Sequence, residues 1–338
     1  MGERIWLLPE EGQFYKANLH CHTTLSDGEK TPEEIKELYR QQGYSVVAYT
    51  DHRRYVWHRC LMDETFIPLA AYEVNVDGAV PPDGDGSRKK TYHINLYDTD
   101  PETRSREKRT SILPEHRYGD MAYINGWLAD MRKMGFFACY NHPYWSMQTI
   151  EDYGGLKEVW AMEIYNHGCE LEGMYGYNPQ SYDEMLRAGT KLFCAATDDN
   201  HNLVPLEDPF SDSFGGFTMI KAERLTYEAV VSALLQGDFY ASMGPKIREL
   251  YVEDNRLTVR TSPAEKIFVA TEGRRCHRKI AEPGGVLTEA EFELTGKEGY
   301  IRVDVRDEKG RHANSNAYFL ENGVPVKRKY DMENGSLV

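Results

Sequence analysis

Two histidines, His20 and His22, stand two residues apart, and Asp27 follows five residues after the second. On a strand, residues two apart point to the same face. If residues 14–22 are extended, both imidazoles aim at one point and Asp27 can fold back over it. Imidazole together with carboxylate is a usual ligand set for zinc, manganese or iron. Alone, such a pair is no more than two histidines near a strand end. It gains meaning because the pattern recurs: His52 after Thr50-Asp51, Glu73, His93, His142 between Asn141 and Pro143, Glu163, and Asp199 two residues before His201.

The elements that carry these residues can be read in order. Residues 31–42 form a helix pattern, with Thr31 as cap, Pro32 in the first turn, Glu33 and Glu34 at the positive end, and Ile35 and Leu38 on a buried face. Residues 44–50, 66–74, 91–97, 136–140, 159–165 and 191–196 are short apolar runs of strand length. Residues 120–134 and 181–188 read as helices, the first with Met121, Ile124, Leu128 and Met131 on one face. Strands alternating with helices imply parallel βα units. In a closed βα barrel the reactive residues lie at the C-terminal strand ends. Seven strand ends here carry, in order, His20/His22, His52, Glu73, His93, His142, Glu163 and Asp199/His201. Six of the seven end in good metal ligands, and Glu163 sits on the seventh. Chance would scatter the 11 histidines over helices and loops.

Beyond Gly244-Pro245 the pattern changes to short strand candidates separated by turn signals, with no helix period. Residues 246–338 therefore read as an all-β, sandwich-like unit after a domain spanning 1–245.

The chain has 338 residues, enough for two domains. Its net charge of −14 argues against broad binding to nucleic-acid polymers or anionic membranes, and leaves room for a small phosphorylated molecule held by metals. No run approaches the length of a membrane span. Residues 1–12 lack the basic start and apolar stretch of a signal peptide. Six cysteines show no paired spacing, which fits reduced thiols and a cytoplasmic location. Nothing in the pattern speaks to oligomeric state.

Several of these motifs together carry a resemblance. Asn18-Leu19-His20-Cys21-His22-Thr23 with Ser26-Asp27-Gly28, then Thr50-Asp51-His52, Asn141-His142-Pro143 and the Asp-x-His at 199–201 resemble the PHP (polymerase and histidinol phosphatase) family over about residues 14–245. The stretch 300–307, followed by Gly310 and Asn316, resembles the β domain appended to some PHP phosphoesterase-like proteins.

The resemblance implies a distorted (β/α)7, TIM-like barrel with a C-terminal all-β domain, holding two or three divalent ions (Mn, Zn or Fe). It implies His20, His22, Asp27, His52, Glu73, His93, His142, Asp199 and His201 as ligands. The family usually shows one Asp before x-His, whereas this chain has Asp198-Asp199. Spacing favours Asp199, with Asp198 behind it, and the reverse assignment stays open. A full ligand set implies a working enzyme. Its nucleophile would be a metal-bridging hydroxide held by Glu73, His142 and Asp199, attacking a small phosphate ester of nucleotide or sugar-phosphate type.

Two other readings share the metal site. One is hydrolysis of an amide, carbamate or carboxyl ester. The other is a non-catalytic metal-binding or scaffold module. Arg53, Arg54 and His167 are candidate substrate contacts, His167 also a candidate acid, although a solvent-facing loop histidine explains it as well. Tyr144 and Trp145 could stack on a base or sugar, or pack the rim. The basic run 104–109 could cover an anionic substrate or be a solvated loop. His58, His116, His277 and His312 fit no metal pattern and read as surface residues.

Overall fold

The computed structural model describes residues 4–102 and 111–338. The basic run 104–109 lies outside them. The chain opens with β1 (Ile5–Trp6) and β2 (Gln13–Asn18), then α1 (Pro32–Gln41), β3 (Tyr44–Tyr49), β4 (Ile67–Asp77) and β5 (Thr91–Asp98). It continues through α2 (Met121–Lys133), β6 (Phe136–Tyr140), α3 (Ile150–Tyr153), β7 (Val159–Asn166), α4 (His167–Gly173), α5 (Pro179–Arg187), β8 (Phe193–Thr197), β9 (Phe217–Ala222), α6 (Tyr227–Leu235) and β10 (Phe239–Ser242).

Helix α1 shows how local sequence sets these boundaries. The Thr31 hydroxyl accepts from the Glu34 amide, and the Glu34 carboxylate accepts from the Thr31 amide, so two orphan donors are satisfied reciprocally. Pro32 occupies the first turn, where its missing N–H costs nothing, and Ile35 and Tyr39 are buried against the sheet.

The site-bearing strands hydrogen-bond in the order β2-β3-β4-β5-β6-β7-β8. The pairs β2/β3, β3/β4, β6/β7 and β7/β8 are parallel. The expectation of uniformly parallel βα units fails at β5, which runs antiparallel to both β4 and β6. A parallel return needs a crossover of a dozen or more residues, usually a helix. The link from β4 to β5 holds only a single 3-10 turn, Gly86–Arg88, so the chain doubles back directly, pairing Glu73 with Asn95 and Asp77 with Thr91. Two positions shift in consequence. His93 lies near the start of its strand, and Glu73 lies in the middle of the 11-residue β4. Neither is at a C-terminal strand end.

The segments just past β2 and β8 meet. Cys21 forms a parallel bridge with Asn200. The Asp199 amide donates to the His20 carbonyl at 2.9 Å, and the His22 amide to the Asn200 carbonyl at 3.0 Å. The first and last strands of this run are thus joined at the end that carries the histidines.

From residue 246 the described residues hold strands and no helix: β11 (Ile247–Glu253), β12 (Arg256–Ala264), β13 (Lys266–Thr271), β14 (His277–Ile280), β15 (Leu287–Glu293), β16 (Tyr300–Arg306), β17 (His312–Ser315) and β18 (Tyr318–Glu321), then short strand pairs near the terminus. Apart from a separate terminal pair, they belong to two sheets. One has the order β1-β11-β12-β15 and takes its edge from the N-terminus; the other, β14-β13-β16-β17, continues through β10 and β9 into β2. Alternate residues face inward, and Leu250, Val252, Val259 and Phe292 of one sheet share a buried cluster with Ile267, Val269, Val303 and Val305 of the other. This portion also docks on α5. The buried Arg302 guanidinium donates to both Asp183 oxygens at 2.8 and 2.7 Å, and the Tyr300 hydroxyl donates to the same carboxylate at 3.0 Å.

Of the four histidines read as surface residues, only His116 is exposed. His58 packs its ring against Tyr49, and His312 Nδ1 lies 2.7 Å from Asp304 Oδ1, because each sits where two elements meet. Among the described residues all six cysteines are free thiols, and no helix is long and apolar enough to cross a membrane.

Candidate metal centre

Strand β2 ends at Asn18, and the chain then runs irregularly through His20 and His22, both fully buried. Their Nε2 atoms lie 3.1 Å apart. Asp51 folds the following loop: it accepts from the Thr23 amide at 2.8 Å, the Thr23 hydroxyl at 2.9 Å and the Ser26 hydroxyl at 2.8 Å. The loop closes because Gly28 packs on the His22 carbonyl, where a Cβ would lie 2.6 Å from the oxygen. That closure brings Asp27 within 3.6 Å of His22 Nδ1, 3.5 Å of His52 Nε2 and 3.6 Å of His201 Nε2.

The centre of the cluster is Glu73. Its carboxylate lies 2.9 Å from His52 Nδ1, 3.2 Å from His93 Nδ1, 3.4 Å from His20 Nε2, 3.6 Å from His22 Nε2 and 3.8 Å from His142 Nε2. Asn141 donates to Oε1 at 2.8 Å. Oε2 is buried and accepts no well-formed hydrogen bond. Asp199 Oδ1 stands 3.0 Å from both His20 Nε2 and His22 Nε2, and Oδ2 stands 3.7 Å from His142 Nε2. The carboxylate of Asp198 points the other way. It accepts from the Gly216 and Phe214 amides at 2.8 Å each and from the Tyr39 hydroxyl at 2.8 Å. Burial pushes the Asp198 carboxyl up to about 7.

The supporting residues fix these positions. Glu163 is not in the cluster but behind it, accepting from Thr197, Asn166 and the His142 amide while facing His20 Nδ1. Asn18 Oδ1 accepts from the amides of both His20 and Asp198, tying the ends of β2 and β8. His142 and Asp199 adopt positive φ values of 24° and 53°. Such conformations cost free energy and persist only where surrounding contacts over-determine them, as at binding sites.

Burial opposes charge in the cluster, yet at several of its groups the opposite charges outweigh it. His93, His20 and His52 hold Glu73 well below the usual carboxylate range, and His20 and His22 do the same for Asp199. Against its own desolvation, His52 is lifted to about 9, chiefly by Glu73. Burial wins at His22, which falls to about 4. A buried carboxylate oxygen with no hydrogen bond, among imidazole nitrogens too close to face one another without a shared partner, is a donor set that fits divalent cations. The nine residues form overlapping groups of ligand distance, including His22-Asp27-His52-His201, His20-His22-Glu73 and Glu73-His93-His142.

A fourth group, His142-Cys169-Asp199, adds a residue that sequence reasoning missed. Cys169 follows the end of β7, on α4, and burial pushes its thiol well above the ordinary value. A lone cysteine outside any spaced motif gives no signal in sequence. The cluster opens into a cavity of about 500 Å³, whose other walls include Trp145, Cys169, Leu171, Glu172, Leu203 and Phe210. Arg53 borders a second, adjoining cavity, whereas Arg54 borders neither. His167 does not line the metal-side cavity. Its ring packs on Gly215, and Nδ1 lies 2.9 Å from the Tyr165 hydroxyl, so it is not a solvent-facing loop residue.

No family model and no curated protein matches the chain. Solved structures similar to it include the following two. One is a two-domain protein from Bacteroides vulgatus, described as containing a predicted PHP-like metal-dependent phosphoesterase; it is 14% identical, with 96% of this chain and 99% of that chain covered and a TM-score of 0.45. The other, from Bifidobacterium adolescentis, is described as a proposed metal-dependent phosphoesterase; it is 15% identical, with 61% of this chain and 94% of that chain covered and a TM-score of 0.35.

Proposed function

We propose that the chain is a metal-dependent phosphoesterase of the PHP type, acting on a small phosphate ester with two or three divalent ions. In this reading residues 1–245 form a distorted seven-stranded βα barrel and residues 246–338 a sandwich-like domain. The observation that carries the proposal is the convergence of His20, His22, Asp27, His52, Glu73, His93, His142, Asp199 and His201 in one cluster. Nine donors exceed the needs of one ion of ordinary coordination number. Glu73, facing five imidazoles, would hold the ions from the centre of this set.

When bound, the cations would supply a water acidified toward neutral pH and would offset charge on the phosphate. The chain's own residues have separate tasks. Glu163 orients His20 through Nδ1, leaving Nε2 free to bind. Asp51, Gly28 and Asn18 hold the two loops in register. Trp145 stacks its edge near His93 and His142, with ring centroids 5.8 and 5.0 Å away, and screens one side of the cluster from water.

One observation favours the alternative, an amide, carbamate or carboxyl-ester hydrolase. Among the described residues no lysine or arginine lines the metal-side cavity. Metal analysis combined with phosphate release separates the readings. Two or three metals per chain, with phosphate release abolished by His20→Ala, is the expected result. Full loading with turnover only of amides or carboxyl esters would move the assignment to the alternative. Absence of bound metal would overturn both.

A further inference from the structure

The cluster opens on two sides. Besides the cavity of about 500 Å³ there is a second, of about 790 Å³, and His52, His93, Trp145 and Glu172 line both. Trp145 and Glu172 form the partition, joined by a hydrogen bond of 2.6 Å from indole Nε1 to the carboxylate. The two sides differ in character. The first offers carboxylates and exposed apolar groups, with Leu203 and Phe210 about two-thirds exposed. The second adds Arg53, Lys89, Tyr144 and Tyr175, the two tyrosine rings meeting edge to face at 5.2 Å.

The geometry points to a phosphodiester as the substrate, with its phosphorus at the cluster and one substituent in each cavity. This refines the phosphoesterase reading and rests on it. A monoester has one organic substituent and would leave one cavity to water. Charge points the same way. A phosphate monoester carries about −1.5 to −2 at neutral pH, whereas a diester carries a single negative charge. Among the described residues the metal-side cavity is lined, beside the ligand set, by Glu172 and Asp212 and by no lysine or arginine, so of these residues only histidines face a second charge there. The substituent in that cavity is uncharged and presents an apolar face to Leu203 and Phe210. The substituent beyond the Trp145–Glu172 partition tolerates negative charge near Arg53. The reaction is balanced by water alone. A water oxygen bonds to phosphorus, one P–O ester bond breaks, and the departing alkoxide takes a proton derived from that water, giving a phosphomonoester and an alcohol.

The test compares bis(p-nitrophenyl) phosphate with p-nitrophenyl phosphate on the manganese-loaded full chain. The expected kcat/KM ratio favours the diester by at least about tenfold, a factor worth about 1.4 kcal/mol. Tyr144→Ala, which removes an exposed ring from the second cavity, is expected to lower that ratio, with its metal content measured alongside. Equal rates or preference for the monoester would overturn the inference while leaving the phosphoesterase reading intact. Diester preference unmoved by Tyr144→Ala would overturn the assignment of the second cavity. Loaded protein inactive on both esters would overturn both readings.

Discussion

His20 Nδ1 and Glu163 Oε1 lie 2.7 Å apart, both side chains fully buried. The carboxylate can only accept, so the imidazole carries a proton on Nδ1 and turns Nε2 toward Glu73 and Asp199. Glu163 is in turn held by Thr197, Asn166 and the His142 amide. One carboxylate therefore sets the orientation of His20 and the backbone position of His142.

Glu163→Gln tests that relationship. The amide keeps the volume but can present its NH2 to His20 Nδ1, which favours the other tautomer. Metal affinity is expected to fall by about 10- to 100-fold, the usual cost of losing such a partner, with unfolding still cooperative. Metal titration by calorimetry alongside thermal unfolding is the check; unchanged affinity would show that Glu163 is only a packing residue.

Asp198 and Asp199 make a contrast between neighbours. Asp199→Asn removes charge from the cluster and is expected to lose metal. Asp198→Asn should retain the metal but lose stability by about 1–3 kcal/mol, because one of the Gly216, Phe214 or Tyr39 donors then meets an NH2 in a buried site. Metal content and urea midpoints of the two variants give the answer. The opposite pattern would mean that the ligand is Asp198.

Much of this site was legible because metal ligation restricts residue type. Only a few side chains serve, so His20, His22, His52, His142 and His201 stand out in their short motifs. The Asp198/Asp199 choice was legible only in part: spacing to His201 favours Asp199, but the pairing of Asp198 with the Gly216 and Phe214 amides comes from a segment 16 and 18 residues on. The reversed β5 was missed for a different reason. An apolar run has no direction, and only the shortness of the 78–90 link indicates an antiparallel return. Glu163 looks in sequence like any strand-end ligand; its role is decided by the facing His20 nitrogen, from the other end of the strand order. The four-stranded β1-β11-β12-β15 sheet draws its edge from Ile5–Trp6, a pairing across some 240 residues that no local pattern announces.

Gly28→Ala probes the loop that delivers Asp27. The added methyl would sit 2.6 Å from the His22 carbonyl oxygen, so the loop or His22 must move. A loss of about 1–3 kcal/mol is expected from such overpacking, together with weaker metal binding, since Asp27 depends on the closure. Denaturation and metal titration measure the two effects. Wild-type values for both would show that the loop is free to shift.

Chelation is expected to destabilise the protein without unfolding it. A cation binding only the native state stabilises it by about 2.7 kcal/mol when free metal is a hundred times the dissociation constant. Removing it leaves the buried carboxylates facing imidazoles, of which His52, lifted to about 9 by Glu73, still offsets part of their charge. Scanning calorimetry with and without chelator should show a lower but still cooperative transition, and restoring manganese should recover it. A melting temperature indifferent to metal would argue against a site that binds in the folded state.

The Asp183–Arg302 pair joins α5 to the C-terminal sheets. Arg302 is 5% exposed, so its charge depends on the bidentate carboxylate at 2.8 and 2.7 Å. Asp183→Ala strands that charge, for which about 3–5 kcal/mol of destabilisation is expected. The double variant with Arg302→Met removes the stranded charge and should recover much of the loss. Both substitutions lie away from the histidine cluster, so metal content should hold in the double variant. Urea unfolding followed by tryptophan fluorescence and far-UV signal checks this. If the single variant is as stable as the wild type, the pair contributes little to docking, and the apolar core around Val303 and Ile301 would then be what holds the C-terminal sheets in place.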